Sequence, residues 1–345
     1  MYTAGRTKFV TLLLLGLMSA PALAQFTVLD QAQDNLGSGV TDTSTPPPPC
    51  GTQTISIASM NWPSAQLLAE IHAQLLAETY GCAVRVTPGD LASTGSSMGS
   101  SGQPAVAPEM WPTRVADVWN TGISAQMLRP AASTYVEAGF EGWFVANAIV
   151  QARPALQRAA DLAAVLPMLN AGRKVQFISC PADWACAVIN RNLLAAHGVS
   201  EMVELVEPGN RFEMDSLIAE AVSLREPVLF YYWQPNAVLA QLDLFALDMG
   251  EYDAEAAKCL AQRVCATPQP SAFPPETVLV ALSEWVFTDI PAIAGYFQRS
   301  SLPLAEMNAL LAQLNAPGAT VASVAERFVA ERDDIWRNWT GAGAP

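Results

Sequence analysis

Four of the nine tryptophans stand beside residues that stiffen a chain. Trp62 precedes Pro63 and Trp111 precedes Pro112. Trp184 lies inside Cys180-Pro-Ala-Asp-Trp-Ala-Cys186, and Trp233 stands two residues before Pro235 in Phe230-Tyr-Tyr-Trp-Gln-Pro235. Each is expected just after a strand ends. Prolines and short cysteine-closed loops limit the conformations a loop can sample, so an indole there stays open to a ligand. Three or four such faces around one point make a box for a cation that cannot donate hydrogen bonds, such as a quaternary ammonium, at roughly 0.5–2 kcal/mol per face. An isolated tryptophan is more commonly a core residue. Trp119, Trp285, Trp336 and Trp339, at core-like spacing in predicted helices, are read that way.

Trp184 has a second property. A helix is expected to start near Ala185, with Asp183 as its cap. The free N–H groups of Ala185 and Cys186 then face outward at the positive end of the helix dipole and suit a carboxylate. Arg114, three residues after Trp111, is a candidate clamp for the same group; its ordinary reading is a solvated helix residue. A ligand with a quaternary ammonium at one end and a carboxylate at the other satisfies both features.

Catalysis finds little support. There are two histidines. His72 falls on the first predicted helix and His197 at a helix C-terminus, and neither accompanies a nucleophile. No P-loop, GxSxG or dinucleotide fingerprint is present. Glu109, near Trp111, has the chemistry of an acid or base but no evident partner. No catalytic residue, metal site or cofactor is expected. A secreted α/β enzyme, the remote alternative, needs a positioned nucleophile or metal.

Residues 1–24 read as a secretory leader: Arg6 and Lys8, a short apolar run over 10–17, then Ala22-Leu23-Ala24. Residues 25–49 are polar, end in four prolines and read as a disordered spacer. Loss of the leader takes the formal charge from −14 to −16. Nucleic acid, which needs clustered Lys and Arg, is not an expected partner. No later stretch is long and apolar enough to insert in a membrane. The remaining length predicts two domains. Six cysteines in an exported chain imply three disulfides, for which sequence alone allows 15 pairings. The short pairs Cys180–Cys186 and Cys259–Cys265 are preferred, leaving Cys50 with Cys82. A zinc site at the short pairs lacks further ligands at the needed spacing.

The positioning elements follow from periodicity. Residues 54–59 alternate as a strand does, 64–80 repeat as a helix and stop at Gly81, and 83–87 are a second strand. This βαβ opening predicts a parallel sheet. Residues 93–102, rich in Gly and Ser, read as a loop. Residues 106–111 read as a short strand, 114–127 as helix, 142–150 as extended, 154–169 as helix and 174–178 as strand. Helices are expected over 185–197 and 214–224, with a buried strand over 227–232. Residues 250–270 read as irregular, 277–282 as strand, and 302–315 and 321–338 as helices. The class is α/β, and ligands in such sheets bind beyond the carboxyl ends of strands.

Ser179-Cys-Pro-Ala-Asp-Trp-Ala-Cys-Ala-Val-Ile-Asn190 and Pro227-Val-Leu-Phe-Tyr-Tyr-Trp-Gln-Pro235 together resemble the substrate-binding proteins of ABC importers for glycine betaine, choline and related quaternary amines. Weaker matches are Asn61-Trp62, Glu109-Met-Trp111-Pro112, Gly142-Trp143 and Leu302-Pro-Leu-Ala-Glu-Met-Asn308. The resemblance runs from about residue 54 to 339. It implies a two-lobed periplasmic binding protein fold, each lobe a mainly parallel sheet flanked by helices, with two hinge crossings near 143–147 and 272–277. Lobe I is expected over 50–146 plus 273–340 and lobe II over 147–272. It also implies that Trp62 and Trp111 serve from lobe I and Trp184 and Trp233 from lobe II. The N–H groups of Ala185 and Cys186 hold the carboxylate, and the Cys180–Cys186 pair matches a family disulfide. Ser64, Arg114 and Trp143 complete the candidate ligand set. Some betaine-binding members carry His four residues after the first-lobe Trp, where this chain has Val115. Choline-preferring members carry Asp two residues after the early Trp, where it has Ser64. The implied partners are a small quaternary amine and a membrane permease, with the protein a periplasmic monomer. The implied ligand is glycine betaine or a relative; choline, carnitine, proline betaine and an amino acid are alternatives.

Overall fold

The alternating stretch near residue 55 becomes strand β1 (Ile55–Met60), and Pro63 opens the helix behind it, α1 (Pro63–Tyr80), which ends on Gly81 at φ 68°. That left-handed position is one glycine adopts without a Cβ penalty. The structure, a computed structural model, describes residues 49–341; the expected leader and all but the last residue of the spacer lie outside them.

The other strands are β2 (Val84–Gly89), β3 (Val106–Met110), β4 (Leu128–Ser133), β5 (Glu141–Ala146), β6 (Val175–Ile178), β7 (Val203–Val206), β8 (Val228–Trp233), β9 (Leu244–Ala246) and β10 (Leu279–Ser283). They form two five-stranded sheets, β2-β1-β3-β10-β4 and β7-β6-β8-β5-β9. In the first, β1 runs parallel to β2 and β3, while β10 is antiparallel to β3 and β4. In the second, β6 runs parallel to β7 and β8, while β5 is antiparallel to β8 and β9. The α/β class holds and each sheet is mainly parallel, with four of its five strands running one way and one, β10 in the first sheet and β5 in the second, reversed. The reason is the crossing: β5 and β10 are the first strands laid down after the chain changes sheet, and each enters against the direction of its new neighbours.

Each sheet has its own apolar core. Leu67, Leu76, Tyr296, Phe328 and Trp339 belong to one; Trp143, Phe177, Phe230 and Tyr232 belong to the other. Burying each such side chain contributes roughly 1.5–3 kcal/mol. The crossings therefore lie between Tyr135 and Glu141 and between Phe273 and Val278. The second agrees with the expected 272–277. The first precedes the expected 143–147, because residues 143–146 are already paired in β5.

Disulfides join Cys50–Cys82, Cys180–Cys186 and Cys259–Cys265, as preferred from sequence. The first ties the entries of the neighbouring parallel strands β1 and β2. Residues 250–270, expected to be irregular, include a helix, Ala254–Leu260, capped by Asp253. The expected loop at 93–102 is instead helix α2 (Leu91–Ser101), started by a capping box between Asp90 and Ser93. It packs on helix α3 (Ala116–Ser124), where a Cβ on Gly99 would stand 3.3 Å from the Gly122 Cα. Its small residues permit that close approach. Among the described residues no helix is long and apolar enough to cross a membrane.

Candidate functional site

Three of the four singled-out tryptophans occupy the position just before a helix. Trp62 precedes α1 and Trp111 precedes a 3-10 turn, Pro112–Val115, each with proline as the first helical residue. Proline at that position has no N–H to lose and forces the residue before it out of helical backbone. Trp62 accordingly has φ −135° and ψ 152°. Trp184 precedes the helix Ala185–Ala196 and Trp233 ends β8. All four are half-buried.

They line one cavity of about 450 Å³. Trp62 and Trp111 come from the first sheet's side, Trp184 and Trp233 from the second. Ser64, Glu109, Arg114, Arg211 and Pro235 share the wall, and Leu311 and Leu314 close it from the end of the helix Leu304–Gln313. The Trp184 and Trp233 rings are 5.7 Å apart and inclined at 59°. Trp233 is braced from behind by Tyr232, stacked at 4.9 Å. The Cys180–Cys186 bridge closes the turn that carries Trp184. Asn236 N donates to Asn308 Oδ1 at 2.7 Å, a buried link between the strand-end loop of the second sheet and the helix Leu304–Gln313 packed on the first.

Three expected positions differ from the sequence reading. Trp143 is fully buried in the second core, where its Nε1 donates to Asn190 Oδ1 at 2.8 Å, so it stands outside the cavity wall. Arg114 does reach the wall, but its fork is taken. Nε and Nη2 donate to both oxygens of Glu276 at 2.6–3.1 Å, while its guanidinium covers one face of Trp111 at 4.4 Å. It braces Trp111 and ties the first side to the second crossing. Asp183 does not cap the helix Ala185–Ala196: Trp184 is its N-cap residue and no side chain caps the first turn. Ala185 and Cys186 stand in that turn behind Trp184, beyond the cavity lining.

Two charged residues at the site stood outside the expected ligand set. Glu109, near the end of β3, is 1% exposed. Its Oε1 accepts from Ser64 Oγ at 3.1 Å, and its Oε2 has no hydrogen-bond partner among the described residues. Burial raises its carboxyl from 4.5 to about 7, against the stabilising donors Ser64, Trp62, Tyr135 and Trp111. Only Ser64 reaches it in standard hydrogen-bond geometry; the other three act from close by. Arg211, which opens the helix Arg211–Ser223, lines the opposite wall 3.6 Å from Asp215. The signal that could have found Glu109 was an acidic residue inside an otherwise apolar strand. No local signal marked Arg211. Among the described residues no cluster of His, Cys, Asp and Glu is arranged to hold a metal ion.

Two sheets with separate cores, two crossings, and an aromatic-walled cleft fed from both sides define a two-lobed solute-binding protein. Residues 53–331 match the family model of the substrate binding domain of ABC-type glycine betaine transport systems, and the chain belongs to that family. No curated protein matches it by sequence comparison. Among solved structures it is similar to the glycine betaine, L-proline-binding protein of Borrelia burgdorferi, at 15% identity over 83% of this chain and 96% of that one, with a TM-score of 0.52. It is likewise similar to lactococcal OpuAC in its closed-liganded conformation with glycine betaine (16%, 84% and 99%, 0.53) and to an ABC-transporter choline binding protein in complex with choline (14%, 84% and 92%, 0.51). At these identities the likeness is one of fold.

Proposed function

We propose that this protein is the extracytoplasmic receptor of an ABC importer and captures glycine betaine or a closely related quaternary ammonium solute. The observation that carries the reading is the convergence of Trp62, Trp111, Trp184 and Trp233 on one cavity from two separately folded halves. Methyl groups on a charged nitrogen spread the charge over an apolar surface. That surface loses little on leaving water, and it gains from every π-face it touches. The protein binds and releases; it transforms nothing. It works in the periplasm as a monomer, delivered there by residues 1–24, and presents its ligand to a permease.

Capture is a hinge closure. The 3-10 turn carrying Arg114 and the crossing residue Glu276 form one ion pair across the hinge, and Glu141, at the far end of the first crossing, accepts from Tyr231 Oη at 2.5 Å. These contacts hold the crossings in register as the tryptophan pairs approach one another. The first-turn N–H groups of Ala185 and Cys186, with no side chain capping them, take the ligand's carboxylate once the lobes close.

Calorimetric titration with glycine betaine should give micromolar affinity or better, and Trp184→Ala and Trp233→Ala should each weaken it by about tenfold or more. Full affinity in both variants would remove the aromatic cage.

A further inference from the structure

Glu109 has no structural need to be acidic. Every residue of β3 is buried, and an apolar side chain would pack there without desolvating a charge. Among the described residues no cation is paired with it. Arg114 is turned to Glu276, and Arg211 stands across the cavity. Around it gather polar groups from each neighbouring element: Ser64 from α1, the Trp62 and Trp111 indoles from the ends of β1 and β3, and Tyr135 from the segment after β4. The flanking strands β1 and β10 add no titratable side chain. The Tyr135 hydroxyl, also buried, has no partner of its own among the described residues. A carboxylate lining a cation cage, short of one partner, is the arrangement of a site awaiting positive charge.

We propose that Glu109 is the charge-selecting residue of this site: its carboxylate, fixed beside the Trp62 and Trp111 indoles, is the counter-charge for the ligand's cationic head. The ligand class is then a permanently charged ammonium or the cationic end of a zwitterion. Neutral solutes of the same shape are rejected, because they leave Glu109 buried and uncompensated. The inference rests on the cage reading above and deepens it.

A consequence is proton linkage. A bound cation favours the ionised carboxylate, so its pKa is lower in the complex than in the free protein. Affinity is complete above about pH 7, where free Glu109 is already ionised, and declines as the pH falls through that value.

The test titrates the whole protein with tetramethylammonium, which has neither hydroxyl nor carboxylate, and with glycine betaine, between about pH 5.5 and 8.5. The wild type should lose roughly tenfold in affinity for tetramethylammonium between about pH 8 and 6, and Glu109→Gln should bind it roughly tenfold more weakly at about pH 8 with a flat profile. Ser64→Ala, which removes the donor that favours the charged form, should move the midpoint to higher pH. The wild-type profile needs no variant to fold, and thermal melts check that both variants do. A flat wild-type profile together with undiminished affinity in Glu109→Gln overturns the role of Glu109 while leaving the cage intact. Failure of both ligands to bind the wild type at any pH overturns the cage reading and this inference with it.

Discussion

Trp143 and Trp233 lie two pairing positions apart on β5 and β8, opposite Tyr231 and Glu141 respectively, yet only Trp233 reaches the cavity. Trp143 points into the core and anchors a buried polar chain: its indole N–H donates to Asn190 Oδ1, and Asn190 Nδ2 donates to Ser179 Oγ at 2.9 Å. The motif that brought Trp143 into the candidate set therefore reflects packing. Trp143→Phe would leave the Asn190 carbonyl buried without a donor, at a cost of about 1–3 kcal/mol. The expected outcome is a lower denaturation midpoint with unchanged affinity for glycine betaine in the folded protein. Weakened binding at full stability would return Trp143 to the site. Arg114 lines the cavity with its fork engaged by Glu276, which the sequence did not announce. Its neighbour in space, Glu276, is separated from it by more than a domain's length of chain, and no local pattern announces an ion pair of that range.

Among the elements, those that hold the tryptophans were legible because each has a local cause: a strand, then proline or a cysteine-closed turn, then helical periodicity. The strands the sequence reading omitted, β4, β7 and β9, all sit at sheet edges. Edge strands need little apolar periodicity, and β4 carries Pro130, which is tolerated where one side of the ladder is free. Helix α2 was hidden by composition. Its glycines and serines lower helix propensity, but they let α3 approach until Gly99 and Gly122 almost touch, and Met98 fills the space beneath. Tertiary contact, not propensity, holds this helix. Gly99→Val gains propensity, yet its side chain collides with the Gly122 backbone. The expected result is a net loss of about 1–3 kcal/mol in chemical denaturation. A more stable variant would mean that α2 and α3 can part at little cost. Because Leu91, at the start of α2, lines the cavity, a displaced helix should also weaken ligand binding.

At the scale of the whole molecule, the cavity draws on stretches spread from Trp62 to Asn315, and only the crossings bring them together. The aromatic part was readable because tryptophan beside proline or cysteine is distinctive. The charged part was not, since an acid's meaning depends on burial. Two buried titratable groups in the first lobe now set opposing demands on pH. His72 lies against Tyr296, Phe297 and Trp339, and burial lowers its pKa from 6.5 to about 3. Its folded pKa is depressed, so its stabilising contribution is complete above 6.5 and is lost as the pH falls toward 3. Glu109 is the reverse. With its folded pKa raised from 4.5 to about 7, its contribution is complete below 4.5 and is lost as the pH rises to 7. Between 4.5 and 6.5 the two slopes oppose each other and partly cancel in the unliganded wild type. Single substitutions should expose them, each by on the order of 1–3 kcal/mol across that window. Relative to wild type, His72→Phe should become progressively more stable as the solution is acidified, and Glu109→Gln progressively more stable as it is made basic. Denaturant melts at half-unit pH steps, without ligand, read both slopes directly. Parallel stability curves for wild type and either variant would show that the substituted group titrates alike in the folded and unfolded chain.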